Sequence, residues 1–544
     1  MSGSTRARMS PEVASIWRSS GGGDNSGNGS GGIKNMSAEV GCSFAGGRNG
    51  VAAKSAIATV ALMLMLSGCA NFTPDGGMSR VQTATTSALG KDVARIRSDA
   101  EAAEVAARIR ALITSGLSAE KAVQVALLNN RGLQAAFAEL ATSEAESVEA
   151  GLPPSPTFSV ARLTSSIASG PAYGSALEVE RQLLVNVLSL LTLPRRRDIA
   201  DHRFKHAQLR TIESVLKTAT SARRAYYRAV ASAQTVTFLE EAKVAAESAS
   251  EVAKRLGESG ALNKIDQARE HAFYAELGAQ LAAAKLKRGA DRERLVRVLG
   301  LWGKDAGLRV PGKLPSLPGR AKSLPDIEAE AIDKRIDLAI ARMELDILAK
   351  SYGLTRGTRF INVLEVAGMS NFEKEKVVTP QPPPDDPEVE RTKTRWRGLE
   401  LEIQIPIWDF GAARTRRAEE TYLQAVHRLA ERAINIRSEV REAYAGYRGS
   451  YDIARHYQKE ILPLRKIISE ETMLRYNAMI ADLSALLVDA RARIMSNIAA
   501  IDAQRDYFLA AADLQAAIIG GAVDGGAAEG PRVAAAGGGE GAGH

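Results

Sequence analysis

The chain has 544 residues, 45% of them hydrophobic but only 5% aromatic, and a formal net charge of +8. That mild excess is spread over interleaved acids and bases with no aromatic-basic platform, which excludes a nucleic-acid partner, and two cysteines exclude a disulfide framework. The six histidines form no i, i+4 pair, and no Gly-x-Ser-x-Gly, phosphate loop or His-Glu-x-x-His occurs, so no enzyme, metal site or cofactor is expected.

Residues 1–68 read as a Gly/Ser-rich disordered extension followed by a signal peptide. Arg48 and Lys54 precede an apolar run, 56–66. It is as long as the ~7–15 residues of a signal core and short of the ~20 that a spanning helix needs. It ends in Leu66-Ser67-Gly68-Cys69, which resembles the bacterial lipoprotein signal. The resemblance implies cleavage before Cys69 and a lipidated (diacylglycerol, palmitate) cysteine. Ala70 in the next position favours the outer membrane. A start at Met36 would place Cys42 in the removed segment.

Residues 69–117 form an N-terminal segment that becomes helical. The first repeat is read as 118–299. A helix from Ala119 to Glu149 stops at Pro153, Pro154 and Pro156, and strand-like runs follow at 157–163 and 175–184. From Pro194 there is no further proline until Pro311. Ile212, Val215, Ala219, Ala222, Tyr226, Ala229, Ala233 and Val236 step by three and four, an apolar seam of the coiled-coil type. Gly257 and Gly260 suit a tight reversal, so the spacing predicts antiparallel helices over 195–256 and 262–299. The first would span ~90 Å.

Residues 300–326 are a Pro/Gly-rich linker, after which the same order recurs over 327–519. A helix over 327–349 aligns Arg335-Ile336-Asp337-Leu338 with Asn130-Arg131-Gly132-Leu133. Strand-like runs are expected at 358–367 and 396–407, separated by a long loop at 370–395. A second helical pair from Ala412 to Ile519 is interrupted at Pro463, and Tyr444, Tyr447 and Tyr451 read as packing residues of its seam. The Gly/Ala tail 520–544 is expected to be disordered. The chain is therefore an internal duplication, mainly α with a small β part: two long helical hairpins plus four strands.

The run 397–407 sets the expected environment. Leu399, Leu401, Ile403, Ile405 and Ile407 alternate with Glu400, Glu402 and Gln404, the pattern of a strand between lipid and water. Trp396 and Trp408 bracket it as candidate membrane-interface aromatics. Glu178 and Glu180 repeat the pattern in the first half, and with Glu400 and Glu402 they are candidate lumen-facing carboxylates. Four strands do not close a barrel, for which about eight are needed, so several copies must join. Three would give a 12-stranded β-barrel.

These features together resemble the TolC-like outer-membrane efflux proteins over about 115–520. The carrying pieces are the duplication, Ile405-Pro406-Ile407-Trp408-Asp409-Phe410-Gly411 with Arg414, and two hairpin tips. The tips hold Arg255, Gly260 and Asp266-Gln267-Ala268-Arg269, and Arg475-Tyr476 and Asp489-Ala490-Arg491. The resemblance implies a homotrimer with a barrel in the Gram-negative outer membrane and a helical tunnel in the periplasm. It would be a passive export conduit docked to a periplasmic adaptor protein and an inner-membrane pump of the resistance-nodulation-division type. Asp489, and less closely Asp482, match the acidic residues that narrow the periplasmic aperture. The second tip lacks the usual glycine. The competing reading is a coiled-coil envelope lipoprotein without a pore, which has no need of paired strands.

Overall fold

The computed structural model describes residues 72–521. Cys69, the signal segment and all but Gly520 and Gly521 of the tail lie outside them. Helices α1 (Met78–Leu89) and α2 (Asp99–Thr114) open the chain. Then come α3 (Ala119–Asn129), α4 (Arg131–Ala150), β1 (Thr157–Ser169), β2 (Ala172–Asn186), α5 (Val187–Glu258) and α6 (Lys264–Leu299). The second half repeats this order: α7 (Ile327–Lys334), α8 (Ile336–Gly357), β3 (Val363–Thr379), β4 (Glu388–Gln404), α9 (Ala412–His456), α10 (Leu462–Asn477) and α11 (Leu483–Ile519). Among the described residues, no helix is long and apolar enough to cross a membrane.

The helix expected over 119–149 is two helices, and so is its counterpart in the second half. Each breaks at one extended residue, Asn130 (φ −64°, ψ 119°) and Arg335 (φ −66°, ψ 120°). The near-identical angles confirm the alignment of the two halves at the level of the backbone. The side chains do the same job with different chemistry. Asn130 accepts from Leu133 N and donates to Val298 O at the end of α6 (2.9 Å). The Arg335 guanidinium donates to Asp337, to Glu439 (2.6 Å) and to Ala517 O at the end of α11.

The long helix begins eight residues before the predicted 195, because Asn186 caps it by accepting from Ser189 N (2.7 Å). Pro194 is the eighth residue of this helix, past the first turn where proline fits without loss, and the helix continues through it at the cost of one backbone hydrogen bond. At 72 residues, α5 runs about 108 Å. Its seam is buried along Ile212, Val215, Ala219, Ala222, Tyr226, Ala229 and Val236. The interruption near Pro463 is a π-helical turn over Tyr457–Ile461, which opens the helix just where the proline ring would meet a preceding carbonyl. Tyr447 and Tyr451 are buried, as expected of packing residues, and meet Tyr507 with ring centroids 5.6 Å apart. Tyr451 also donates to the carbonyls of Pro318 and Gly319, which fastens the linker to the second hairpin.

The strands form one antiparallel sheet in chain order, β1-β2-β3-β4. Among the described residues, the outer edges of β1 and β4 have no strand beside them. All four strands are longer than the periodicity predicted, and the expected loop at 370–395 is mostly β3 and β4, whose turn occupies 380–387. The stretch 388–397 alternates in charge instead of hydropathy, so an apolar periodicity does not register it. At its other end β4 stops at Gln404. Ile405, Pro406 and Ile407 lead into the turn before α9.

Candidate functional site

Two regions gather the predicted residues: the tips of the helical hairpins and the sheet. At the first tip, Ala261 N and Leu262 N both donate to Leu256 O, and Gly260 takes a left-handed φ of 76°. At the second, Ile480 N and Ala481 N both donate to Arg475 O, and Met479 takes φ 59°. The two tips thus share one backbone design, with Met479 standing where the first tip has glycine. The next residue but two is a helix cap in both. Asn263 accepts from Asp266 N (2.8 Å) and Asp482 from Ala485 N (2.9 Å). Asp482 is therefore an exposed cap whose first task is to start α11.

Counting onward from the caps by the same number of steps reaches Glu270 on α6 and Asp489 on α11. Both are buried, at 1% and 6% exposure. Each keeps one carboxylate oxygen, Glu270 Oε2 and Asp489 Oδ1, buried without a hydrogen-bond partner. Burial pushes the Glu270 carboxyl above its usual range, and the Arg491 guanidinium offsets part of that rise. Arg491 lies 5.1 Å over the Phe273 ring and pairs with Glu276 at 3.3 Å, so it ties α11 to α6. Asp489 also lines a cleft with Arg465, Ile468, Thr472 and Val488. Sequence reading identified Asp489 and missed Glu270. The strands of the two halves are offset by 222 positions and the tips by 219, so a single offset does not align them.

In the sheet, strict pairing sorts the side chains onto two faces. Glu178 stands opposite Glu373, Glu365 opposite Glu402, and Ala367 opposite Glu400. Gln182 on β2 donates to Glu400 on β4 (3.3 Å), and Asn186 donates to Glu365 (2.9 Å). Glu178, Glu180, Glu400 and Glu402 therefore share one face, joined there by Glu365 and Glu373. The opposite face carries Phe158, Leu183, Leu399, Leu401 and Ile403, which stay exposed in the single chain (Leu399 85%, Leu401 61%). Trp396 pairs with Asn371 and has the parity of Glu400, so it belongs to the carboxylate face. That corrects the expected girdle, because Trp396 does not flank the aliphatic side. Trp408, 95% exposed, lies in the turn beyond the strand.

That turn is held by its own residues. Asp409 accepts from Gly411 N (2.9 Å) and Ala413 N (3.1 Å) and so caps α9. Gly411 has φ 72°, and a Cβ there would lie 2.2 Å from Arg359 O. Arg414 donates to Thr358 O (2.6 Å). The motif thus fixes the angle between sheet and helix. Among the described residues, no group of three or more metal-ligating side chains occurs.

No family model matches the sequence, and no curated protein does. Solved structures match in fold. The outer membrane channel CmeC of Campylobacter jejuni has a TM-score of 0.60 at 18% identity, over 74% of this chain and 86% of its own. The outer membrane protein VceC of Vibrio cholerae has a TM-score of 0.58 at 13% identity, over 76% and 97%. The open state of the MtrE outer membrane channel of Neisseria gonorrhoeae has a TM-score of 0.52 at 16% identity, over 74% and 88%.

Proposed function

On the TolC-like outer-membrane-channel fold that this chain adopts, we propose that it is the outer-membrane subunit of a tripartite efflux system. Three copies of the four-stranded sheet would close a 12-stranded β-barrel, with the hairpins joined below it as a tunnel. The observation that carries this reading is the sheet itself. Among the described residues both of its edges are open, and it has one aliphatic and one carboxylate face. A lipid-facing aliphatic surface and a wet carboxylate lumen satisfy both faces at once. Transport is then passive, and the pump and adaptor docked at the tips supply energy and cargo. Glu178, Glu180, Glu400 and Glu402 line the lumen and favour cations.

The test is planar-bilayer conductance of the detergent-purified full chain, with its oligomeric mass. A non-conducting monomer at every concentration rejects the channel. Asp489 and Asp482 are proposed to restrict the aperture, each as a ring of three in the trimer. Asp489 acts from within the helix packing and Asp482 from the exposed tip. Asp489→Asn is expected to change closed-state frequency, and an unaltered frequency and cation preference removes Asp489 from the gate. Lipidation at Cys69 is read from the Cys69→Ser protein, expected to accumulate as unprocessed precursor. Normal maturation of that protein refutes it.

A further inference from the structure

The outer half of the β3–β4 hairpin separates its charges by face. Register pairs Lys374 with Lys393, Lys376 with Arg391, Phe372 with Arg395, and Ser370 with Arg397. All of these lie on the face that carries Leu399, Leu401 and Ile403, which follow Arg397 by two to six residues on β4. The acids of the same stretch, Glu373, Glu375, Glu388 and Glu390, have the opposite parity and lie on the carboxylate face. Lys374, Lys376 and the four β4 cations are exposed. None of the six takes part in an ion pair among the described residues. Arg395 has only the Phe372 ring, 5.4 Å away.

Like charges directly opposite each other on one face destabilise a strand pair. Two such rows in succession, Lys374–Lys393 and Lys376–Arg391, therefore call for an anion from outside the chain. A neighbouring copy closing on the free edge of β4 would bring β1, and β1 contains no Asp or Glu. Position points to the source of the anion. The strand has 17 residues. At ~3.3 Å each and ~40° tilt it rises about 43 Å, against an apolar band of ~25 Å. Counted from Gln404, the band ends about ten residues up, near Thr394, so Lys393 and Arg391 stand beyond it and the long Arg395 and Arg397 side chains reach its margin from just inside. A lipid-facing surface at that height meets headgroups.

We infer that Lys374, Lys376, Arg391, Lys393, Arg395 and Arg397 form a binding surface for the phosphate groups of phosphorylated lipid in the outer leaflet. The inference rests on the barrel reading above for which face meets lipid. Arginine and lysine bind phosphate by charge-assisted hydrogen bonds. The aliphatic belt, continuous with the basic rows, accommodates the acyl chains. The surface selects lipids with phosphate at the headgroup and ignores their neutral counterparts.

The experiment compares the detergent-purified full chain with its R391Q/K393Q/R395Q/R397Q variant. Both are passed through gel filtration with bis-phosphorylated lipid A, with dephosphorylated lipid A, or with inorganic phosphate alone. The wild type is expected to retain the phosphorylated lipid at least about fivefold better than the variant, with a steep salt dependence. Inorganic phosphate should be bound equally poorly by both. Equal retention of the phosphorylated lipid by the two proteins overturns the inference. So does equal retention of both lipids by the wild type, or a matching loss in the opposite-face variant E388Q/E390Q. Should the quadruple variant fail to assemble, K374Q/K393Q is read the same way. Conductance of the same wild-type sample separates the two proposals. A conducting protein with unchanged lipid retention in the variant sinks this inference alone. A non-conducting wild type whose lipid retention still depends on the basic rows sinks the channel alone.

Discussion

Glu270 is the residue whose burial has the most direct consequence. Its carboxyl is held above the usual 4.5 by loss of water, with Arg491 compensating in part. A raised carboxyl means that the folded state holds the proton more tightly than the unfolded chain. The stability that Glu270 contributes is therefore fully present below about pH 4.5 and is lost as pH rises through the folded value. Glu270→Gln should unfold at a higher temperature than wild type near pH 7, with the gap closing near pH 4. An equal gap at both pH values would separate the effect from ionisation. At the second tip, Met479 occupies a left-handed conformation that costs a non-glycine residue ~1–2 kcal/mol. Met479→Gly removes the side-chain clash but loosens the unfolded chain, so the net gain expected in urea unfolding is about 0.5–1 kcal/mol.

At the scale of elements, the breaks at Asn130 and Arg335 tie each short helix pair to the end of its own hairpin. Arg335 is the stronger tie, because its buried guanidinium reaches Glu439 on α9 and Ala517 O on α11 while held 2.9 Å from the largely buried Asp337 carboxylate. Arg335→Ala strands that carboxylate, and removal of one partner of such a pair costs about 3–5 kcal/mol. Arg432, 3.9 Å from Asp337, holds the loss toward the lower figure. The double change Arg335→Ala/Asp337→Ala should cost less than the sum of the two single changes, measured as a double-mutant cycle. Neither break contains glycine or proline, so neither was legible in the sequence. The first reversal was legible because Gly257 and Gly260 mark it. The second has no such mark, since methionine performs the glycine's role, and it was placed only by the likeness of Arg475-Tyr476 and Asp489-Ala490-Arg491 to known tips. The aliphatic half of β4 stood out through Leu399, Leu401 and Ile403. Its outer half looked like loop because Arg391, Lys393, Arg395 and Arg397 carry the period in charge. Of the tip carboxylates, Asp489 was found by its likeness to known tips, while Glu270 emerged only from the shared backbone of the two reversals.

For the whole molecule, the duplication was readable because each half repeats one order of elements, and the sheet because both halves contribute two strands to it. The number of copies in the assembly belongs to the closure argument alone. If copies share their sheet edges, dissociation exposes the unpaired backbone groups of β1 and β4. Dilution in mild detergent should therefore leave an oligomer of constant mass until it unfolds, as followed by light scattering. A reversible, concentration-dependent monomer with an intact sheet would show that the edges are satisfied otherwise.

The open strands of β1 and β4 have a further cost in time. On the proposed assembly, a chain that has not yet joined other copies presents two templates on which any extended peptide can add itself. On that assembly its safe lifetime in isolation is short, and rapid pairing of the edges has to cover that interval.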